Sequence, residues 1–166
     1  MSTDPLTILV TAVGSPGSAA LLRALKENGE RPVRLVGTDL REENVGRFHC
    51  DVFSTVPAGS DPAFGSAILE LAKREGARVV LPQASFDLEG LAELRANFAA
   101  AGIALICSTP AAVRAADSKH ATLALCEELG VRAPAFRVAR GGAAVTAAAR
   151  ELGYPGNDVC MKPVVA

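Results

Sequence analysis

Short, wholly apolar runs alternate along this chain with longer stretches whose apolar residues fall at helical spacing. Thr7 to Val13 (TILVTAV) is β-branched and bounded by turn residues, so it predicts a buried strand. Gly14-Ser15-Pro16-Gly17 breaks it, with Ser15 placed to cap a helix and Pro16 suited to the first helical position. Leu21, Leu22 and Leu25 then share one helical face, and Gly29 supplies the stop. Val33 to Thr38 predicts a second strand, ending at Asp39. Arg41 to Pro57 is polar and irregular, with a helical turn and a short extended piece at Val52 to Val56. Ser60-Asp61-Pro62 opens a helix that Ile68, Leu69 and Ala72 continue and Gly76 ends. Arg78 to Leu81 is a further strand, stopped by Pro82. Asp87 to Ala101 is helical, with Leu88, Leu91, Leu94 and Phe98 at three- and four-residue steps. Ile103 to Cys107 is the next strand, and a short helix from Thr109 to Ala116 follows.

Strands alternating with helices imply an α/β fold with a parallel, doubly wound, Rossmann-like sheet. The strands are apolar throughout, which fits burial on both faces. At 166 residues the chain can hold one full domain and part of another. The first domain is expected to span residues 1–116. Beyond it, Asp117-Ser118-Lys119 starts a helix capped by Asp117 that ends at Leu129-Gly130. A second helix, including Thr146 to Leu152, ends before Gly153-Tyr154-Pro155. An apolar segment, Val159-Cys160-Met161, then reads as a strand leading to Lys162-Pro163.

Composition narrows the choice of function. Hydrophobic residues make up 49% of the chain, enough for a real core. Seventeen basic residues against 18 acidic ones leave no basic stripe for a phosphate backbone, so nucleic acid is excluded as a partner. Six Phe, one Tyr and no Trp provide no base-stacking platform either. Cys50, Cys107, Cys126 and Cys160 form no Cys-x-x-Cys pair and lie in or beside apolar runs, where a free thiol behaves as a small hydrophobe. His49 and His120 lack ligand-like spacing. No apolar run approaches the ~18 residues of a membrane span, and no secretory leader is visible, so a cytoplasmic protein is expected.

Three places carry candidate chemistry. The turn Ala12-Val13-Gly14-Ser15-Pro16-Gly17 stands where the dinucleotide fingerprint Gly-x-Gly-x-x-Gly would lie. Asp39 follows about 20 residues on, the position of an acid that would bind a ribose hydroxyl. Pro16 removes one N–H a pyrophosphate would want, and the glycines alternatively only make a tight turn. The second place is Pro82 to Glu89, beyond the carboxyl end of a parallel strand, where open sheets bind ligands. Gln83, Ser85 and Glu89 are the substrate candidates there, and Asp87 is read chiefly as a helix cap. The third is the pair Lys119 and Lys162. Lys119 sits in a first helical turn, where the dipole disfavours a cation unless an anion offsets it. Each lysine taken alone is equally a solvated or snorkelling surface residue.

Taken together these features resemble the ATP-grasp superfamily, in the branch similar to the large subunit of carbamoyl-phosphate synthase. The resemblance runs over the whole chain. It rests on Ile8-Leu9-Val10-Thr11 with its glycine turn, Val36-Gly37-Thr38-Asp39, and Val79-Val80-Leu81-Pro82 with Asp87 and Glu89. It continues through Asp117-Ser118-Lys119-His120-Ala121-Thr122, Leu129-Gly130-Val131-Arg132-Ala133-Pro134, Leu152-Gly153-Tyr154-Pro155 and Met161-Lys162-Pro163. It implies a pre-ATP-grasp domain over residues 1–116, then the incomplete start of an ATP-grasp fold over 117–166. It also implies that Lys119 and Lys162 contact the phosphates of ATP. The implied chemistry is attack of a carboxylate on the γ-phosphate, assisted by Mg2+, with the acyl phosphate captured by an amine or similar nucleophile.

Three residues after Pro163, the glycine- and serine-rich loop of that family is not met, nor are its magnesium-binding residues. The chain is therefore expected to be an amino-terminal piece of a longer ligase, with its catalytic and metal-binding residues beyond position 166. Alone it should bind ATP weakly or not at all and turn over nothing. The expected partner is a small-molecule carboxylate; no membrane is implied, and the unpaired edge of the last strand leaves a homodimer open. The competing reading is an NAD(P)-binding oxidoreductase or a non-catalytic nucleotide-binding regulator, built on the first turn and Asp39.

Overall fold

The computed structural model describes residues 4–164. Its elements, in chain order, are β1 (Leu6–Val10), α1 (Ser18–Lys26), β2 (Val33–Asp39), a 3-10 turn (Gly46–His49) and β3 (Val52–Thr55). There follow α2 (Phe64–Arg74), β4 (Val79–Leu81), α3 (Ser85–Glu93), α4 (Arg95–Ala100), β5 (Ala104–Leu105), α5 (Pro110–Asp117), α6 (Lys119–Glu128) and α7 (Gly142–Glu151). The chain divides within α5 into two compact units, Met1–Val113 and Arg114–Ala166.

In the first unit five strands form one parallel sheet of order β3-β2-β1-β4-β5. β1 is central, with Leu9 facing Val36 on one side and Val80 on the other. The strands are apolar at successive positions because both faces are covered. Leu9, Val36 and Val80 turn to one face and pack with Phe64, Ile68, Leu91 and Phe98. Ile8, Val10 and Leu35 turn to the other and meet Leu22. Each buried leucine- or phenylalanine-sized side chain contributes about 1.5–3 kcal/mol of transfer free energy.

Several local expectations need correction. α1 begins at Ser18, later than Ser15 and Pro16 suggest, because Gly17 takes φ 88° and only then does the chain enter the helix. Ser15 Oγ instead bonds Ser18 Oγ at 2.6 Å. α2 starts at Phe64; Asp61 accepts the Ala63 N–H at 2.8 Å, so Ser60-Asp61-Pro62 forms the lead-in turn. The single helix expected from Asp87 to Ala101 is two. At Leu94 the chain tightens, its N–H donating to the Leu91 carbonyl at 3.0 Å, and a new helix starts at Arg95. The break lies where α3 passes close to α2: a Cβ on Gly65 would come 2.6 Å from the Gly90 carbonyl and 2.9 Å from the Leu94 side chain. β5 keeps only Ala104–Leu105, although the Ile106 N–H still reaches the Val80 carbonyl at 2.9 Å.

In the second unit the cap of α6 is Ser118, not Asp117. The Ser118 Oγ accepts the Ala121 N–H at 3.2 Å, while Asp117 closes α5. The strand expected at Val159 to Lys162 does not form, and these residues are exposed coil. Among the described residues no helix is long and apolar enough to cross a membrane. All four cysteines are free, and burial pushes the Cys50 thiol up to about 11, with Asp51 adding to the effect and Lys26 opposing it.

Candidate functional site

The sheet order fixes where a ligand can enter the first unit. From β1 the chain moves outward to β2 and β3, then returns to the opposite side of β1 for β4 and β5. The strand order therefore reverses between β1 and β4, and the crevice beyond their carboxyl ends is the site that open parallel sheets offer. Thr11, the turn at Gly14, Asp39 and the Gln83 segment all lie at that end.

The crevice is polar and tightly cross-connected. Thr11 is 1% exposed, and its hydroxyl donates to Asp87 Oδ2 at 2.6 Å. The same hydroxyl accepts the Gln83 N–H at 3.4 Å. Asp87 is thus not the helix cap; Ala84 precedes α3, and Asp87 sits in its first turn, where a carboxylate suits the dipole. Burial pushes the Asp87 carboxyl above the usual range; the Thr11 hydrogen bond pulls it back, and the charge of Asp39 adds to the rise. Of the sequence candidates, Gln83 is half-buried in the crevice with its side-chain amide folded onto the Pro82 carbonyl at 3.2 Å. Ser85 and Glu89 are exposed on α3. Thr11 and Thr38 are polar positions inside apolar strand runs. Such an interruption was their only sequence signal.

The first turn is partly occupied by its own hydrogen bonds. The Gly14 N–H donates to Asp39 Oδ2 at 2.8 Å. The Ser15 N–H is spent on the Ala12 carbonyl at 3.0 Å, and Pro16 has none to offer. Residues 44–46 press on the same turn, and a side chain at Gly46 would collide with the Val13 carbonyl. Two of the turn's N–H groups are thus occupied and a third is absent.

In the second unit Lys119 is the first residue of α6 and is half-buried, while Lys162 is exposed. The Lys119 N–H donates to the Val164 carbonyl at 2.9 Å, so the main chain two residues past Lys162 returns to the start of α6. Among the described residues neither ammonium group pairs with a carboxylate. No three His, Cys, Asp or Glu side chains gather in a metal-sized cluster among those residues.

A five-stranded parallel sheet with its switch point at β1 and β4 is the architecture of the domain that opens ATP-grasp ligases. The chain belongs to the family described as PylC-like, N-terminal domain, whose pattern matches residues 8–106. Membership of the ATP-grasp superfamily, expected from the motifs, therefore holds. Among curated proteins compared with the chain, none matches. Among solved structures it is similar to N5-carboxyaminoimidazole synthetase from Staphylococcus aureus complexed with ADP, at 14% identity and TM-score 0.63, over 93% of this chain and 39% of that one. It is also similar to the biotin carboxylase domain of Hydrogenobacter thermophilus 2-oxoglutarate carboxylase, solved with MgADP and bicarbonate. There the identity is 18% and the TM-score 0.59, over 92% of this chain and 34% of that one. Rhizobium etli pyruvate carboxylase matches at 22% identity and TM-score 0.59, over 92% of this chain and 16% of that one. At these identities the likeness is one of fold, and the chain spans well under half the length of each of these structures.

Proposed function

We propose that this chain is the opening part of an ATP-dependent ligase that activates a carboxylate for attack by an amine or similar nucleophile, in the manner of carbamoyl-phosphate synthase. In this reading the pre-ATP-grasp domain spans residues 1–116 and the ATP-grasp fold begins at 117. A carboxylate oxygen attacks the γ-phosphorus of ATP and ADP leaves. The nucleophile's nitrogen then attacks the acyl carbon, loses a proton and expels inorganic phosphate. The observation that carries the reading is the PylC-like family match over residues 8–106.

The residues present fit the nucleotide. Lys119 and Lys162 are cations without a carboxylate partner among the described residues, on main-chain segments joined by the Lys119 to Val164 hydrogen bond. They are proposed to hold phosphate oxygens, for which a lysine ammonium is a mobile point charge. When bound, Mg2+ would neutralise part of the phosphate charge. No residue of this chain is assigned to the metal. Gln83, Ser85 and Glu89 are proposed to line the acceptor side, at the carboxyl end of the sheet. An NAD-dependent reading is weakened, since the Gly14 N–H is held by Asp39 and Pro16 has no N–H to offer.

The test is ATP-dependent phosphate release by the full-length protein, supplied with carboxylate and amine. Lys119→Ala and Lys162→Ala should each lower turnover by about 100-fold, the usual cost of removing one charge-stabilising donor. No phosphate release by the unaltered protein would end the ligase reading, and unchanged turnover in both variants would remove the two lysines from its mechanism.

A further inference from the structure

The crevice holds a buried polar pair to which the ligase chemistry gives no role. Thr11 and Asp87 are 1% and 2% exposed, and the Thr11 hydroxyl donates to Asp87 Oδ2 at 2.6 Å. The other carboxylate oxygen, Oδ1, is packed against the loop before α2, where a Cβ on Gly59 would lie 2.5 Å from it. A hydroxyl has one proton and two lone pairs. With its proton held by Asp87, the Thr11 hydroxyl turns its lone pairs to other donors, and the Gln83 N–H takes one at 3.4 Å.

This contact stands in for a rung of the sheet. The pairing of β1 with β4 ends with the Thr11 N–H on the Leu81 carbonyl at 3.2 Å. In a parallel ladder the next bond would join the Gln83 N–H to the Thr11 carbonyl. Here the Thr11 hydroxyl takes that N–H instead. The chain turns off at Ala12, whose φ of 50° is left-handed and seldom taken by a residue with a Cβ. On the far side of the loop the Asp87 N–H donates to the Ala84 carbonyl at 3.2 Å. Asp87 thus grips Gln83-Ala84 from both ends, directly at Ala84 and through Thr11 at Gln83.

We propose that Thr11 and Asp87 are positioning residues for the acceptor side of the crevice: Asp87 orients the Thr11 hydroxyl, and Thr11 fixes the main chain at Gln83, which meets the substrate. The proposal rests on the ligase reading in taking Gln83 as a substrate contact and the carboxylate as the phosphoryl acceptor. An apolar pair of similar size would fill the same space without desolvating a carboxylate. It would not give the Gln83 N–H a fixed partner beyond the end of the ladder.

The test has two arms. In the 166-residue chain, amide hydrogen exchange at Gln83 is compared with that at Ile68, in the core of α2. Thr11→Val and Asp87→Ala should speed exchange at Gln83 by about five-fold relative to Ile68, the scale of one net hydrogen bond. Thr11→Ser and Asp87→Asn, which keep the hydroxyl and its acceptor, should leave it slow. Thr11→Val is close to isosteric, so this arm does not depend on Asp87→Ala folding. In the full-length protein, Thr11→Val should raise the KM of the carboxylate by about ten-fold or more with the KM of ATP unchanged, and Thr11→Ser should restore it. Gln83 exchange that tracks Ile68 in all four variants would overturn the proposal. Equal rises in the two KM values would overturn it as well, since a general loss of structure does not single out one substrate. Should the unaltered protein release no phosphate, the ligase reading fails by itself, and Gln83 exchange still decides whether the pair holds the loop.

Discussion

The two units of this chain are built on opposite principles. Among the described residues every buried hydrophobic side chain, from Ile8 to Val113, lies in the first unit. Among the described residues of the second, none is fully buried, while Leu125, Leu129, Val131, Tyr154 and Met161 are exposed. The first unit owes its core to β1, which sits at the middle of the sheet and gathers side chains from both faces. The second has two helices, α6 and α7, and no strand among its described residues. Its order rests on local bonds: the Ser118 cap, the Thr122 hydroxyl on the Ala115 carbonyl at 2.7 Å, and the Arg137 to Glu151 ion pair at 2.8 Å. The lesson is that nonlocal packing and local capping can stabilise neighbouring stretches of one chain to very different degrees.

The sharpest way to break this comparison is to delete matched apolar groups. Phe98 is 0% exposed and packs in the cluster that contains Leu91, Val80 and Ile103. Phe98→Ala should cost about 3–5 kcal/mol, from lost transfer energy and the cavity left behind. Leu129 is 66% exposed. Leu129→Ala should change stability by less than ~0.5 kcal/mol. Urea unfolding measures both. Equal costs would mean that the second unit has a core as demanding as the first.

A smaller effect, confined to the first unit, concerns pH. Burial holds the Asp87 carboxyl above its ordinary value, with Thr11 opposing and the Asp39 charge assisting. The folded state therefore keeps the proton at a pH where the unfolded chain has released it. The stability so gained is complete below the ordinary aspartate range and is lost as pH rises through the raised value. Asp87→Asn keeps an acceptor for the Thr11 hydroxyl but carries no charge. It should resist urea better than the parent at pH 7, with an advantage that shrinks toward pH 3. An advantage independent of pH would remove desolvation as the cause.

The same contrast decides what could be read in advance. The α/β class and the order of elements through α5 followed from Leu9, Val36 and Val80 lying in apolar runs, since burial on both faces erases the polar alternation of an exposed strand. Helix starts were less legible, because Gly17 and Asp61 set them through turn geometry that capping preferences do not encode. The break at Leu94 was hidden, as it depends on α2 passing close by at Gly65. In the crevice, Gln83 was visible from its place after a strand. The role of Asp87 toward Thr11 was not: the two are joined only by the sheet crossover, and an acid in a first helical turn has a sufficient local explanation. The Lys162 segment carried an apolar signal with no neighbouring strand among the described residues to make it extended.

The smallest effect belongs to the second unit and tests whether its order is as local as its geometry. Ser118 Oγ accepts the Ala121 N–H at the start of α6, and Lys119 behind it places a cation where the dipole is unfavourable. Removing the cap therefore leaves the first turn with an unsatisfied N–H and an opposing charge. Ser118→Ala should cost ~1 kcal/mol of local stability. That corresponds to about five-fold faster hydrogen exchange at Ala121, together with the next amides of α6. The Phe98 core should be untouched by it, because nothing buried is altered. Unchanged exchange at Ala121 would mean that solvent or Asp117 already satisfies that amide, and that the Ser118 hydrogen bond contributes nothing to holding Lys119 at the head of the helix.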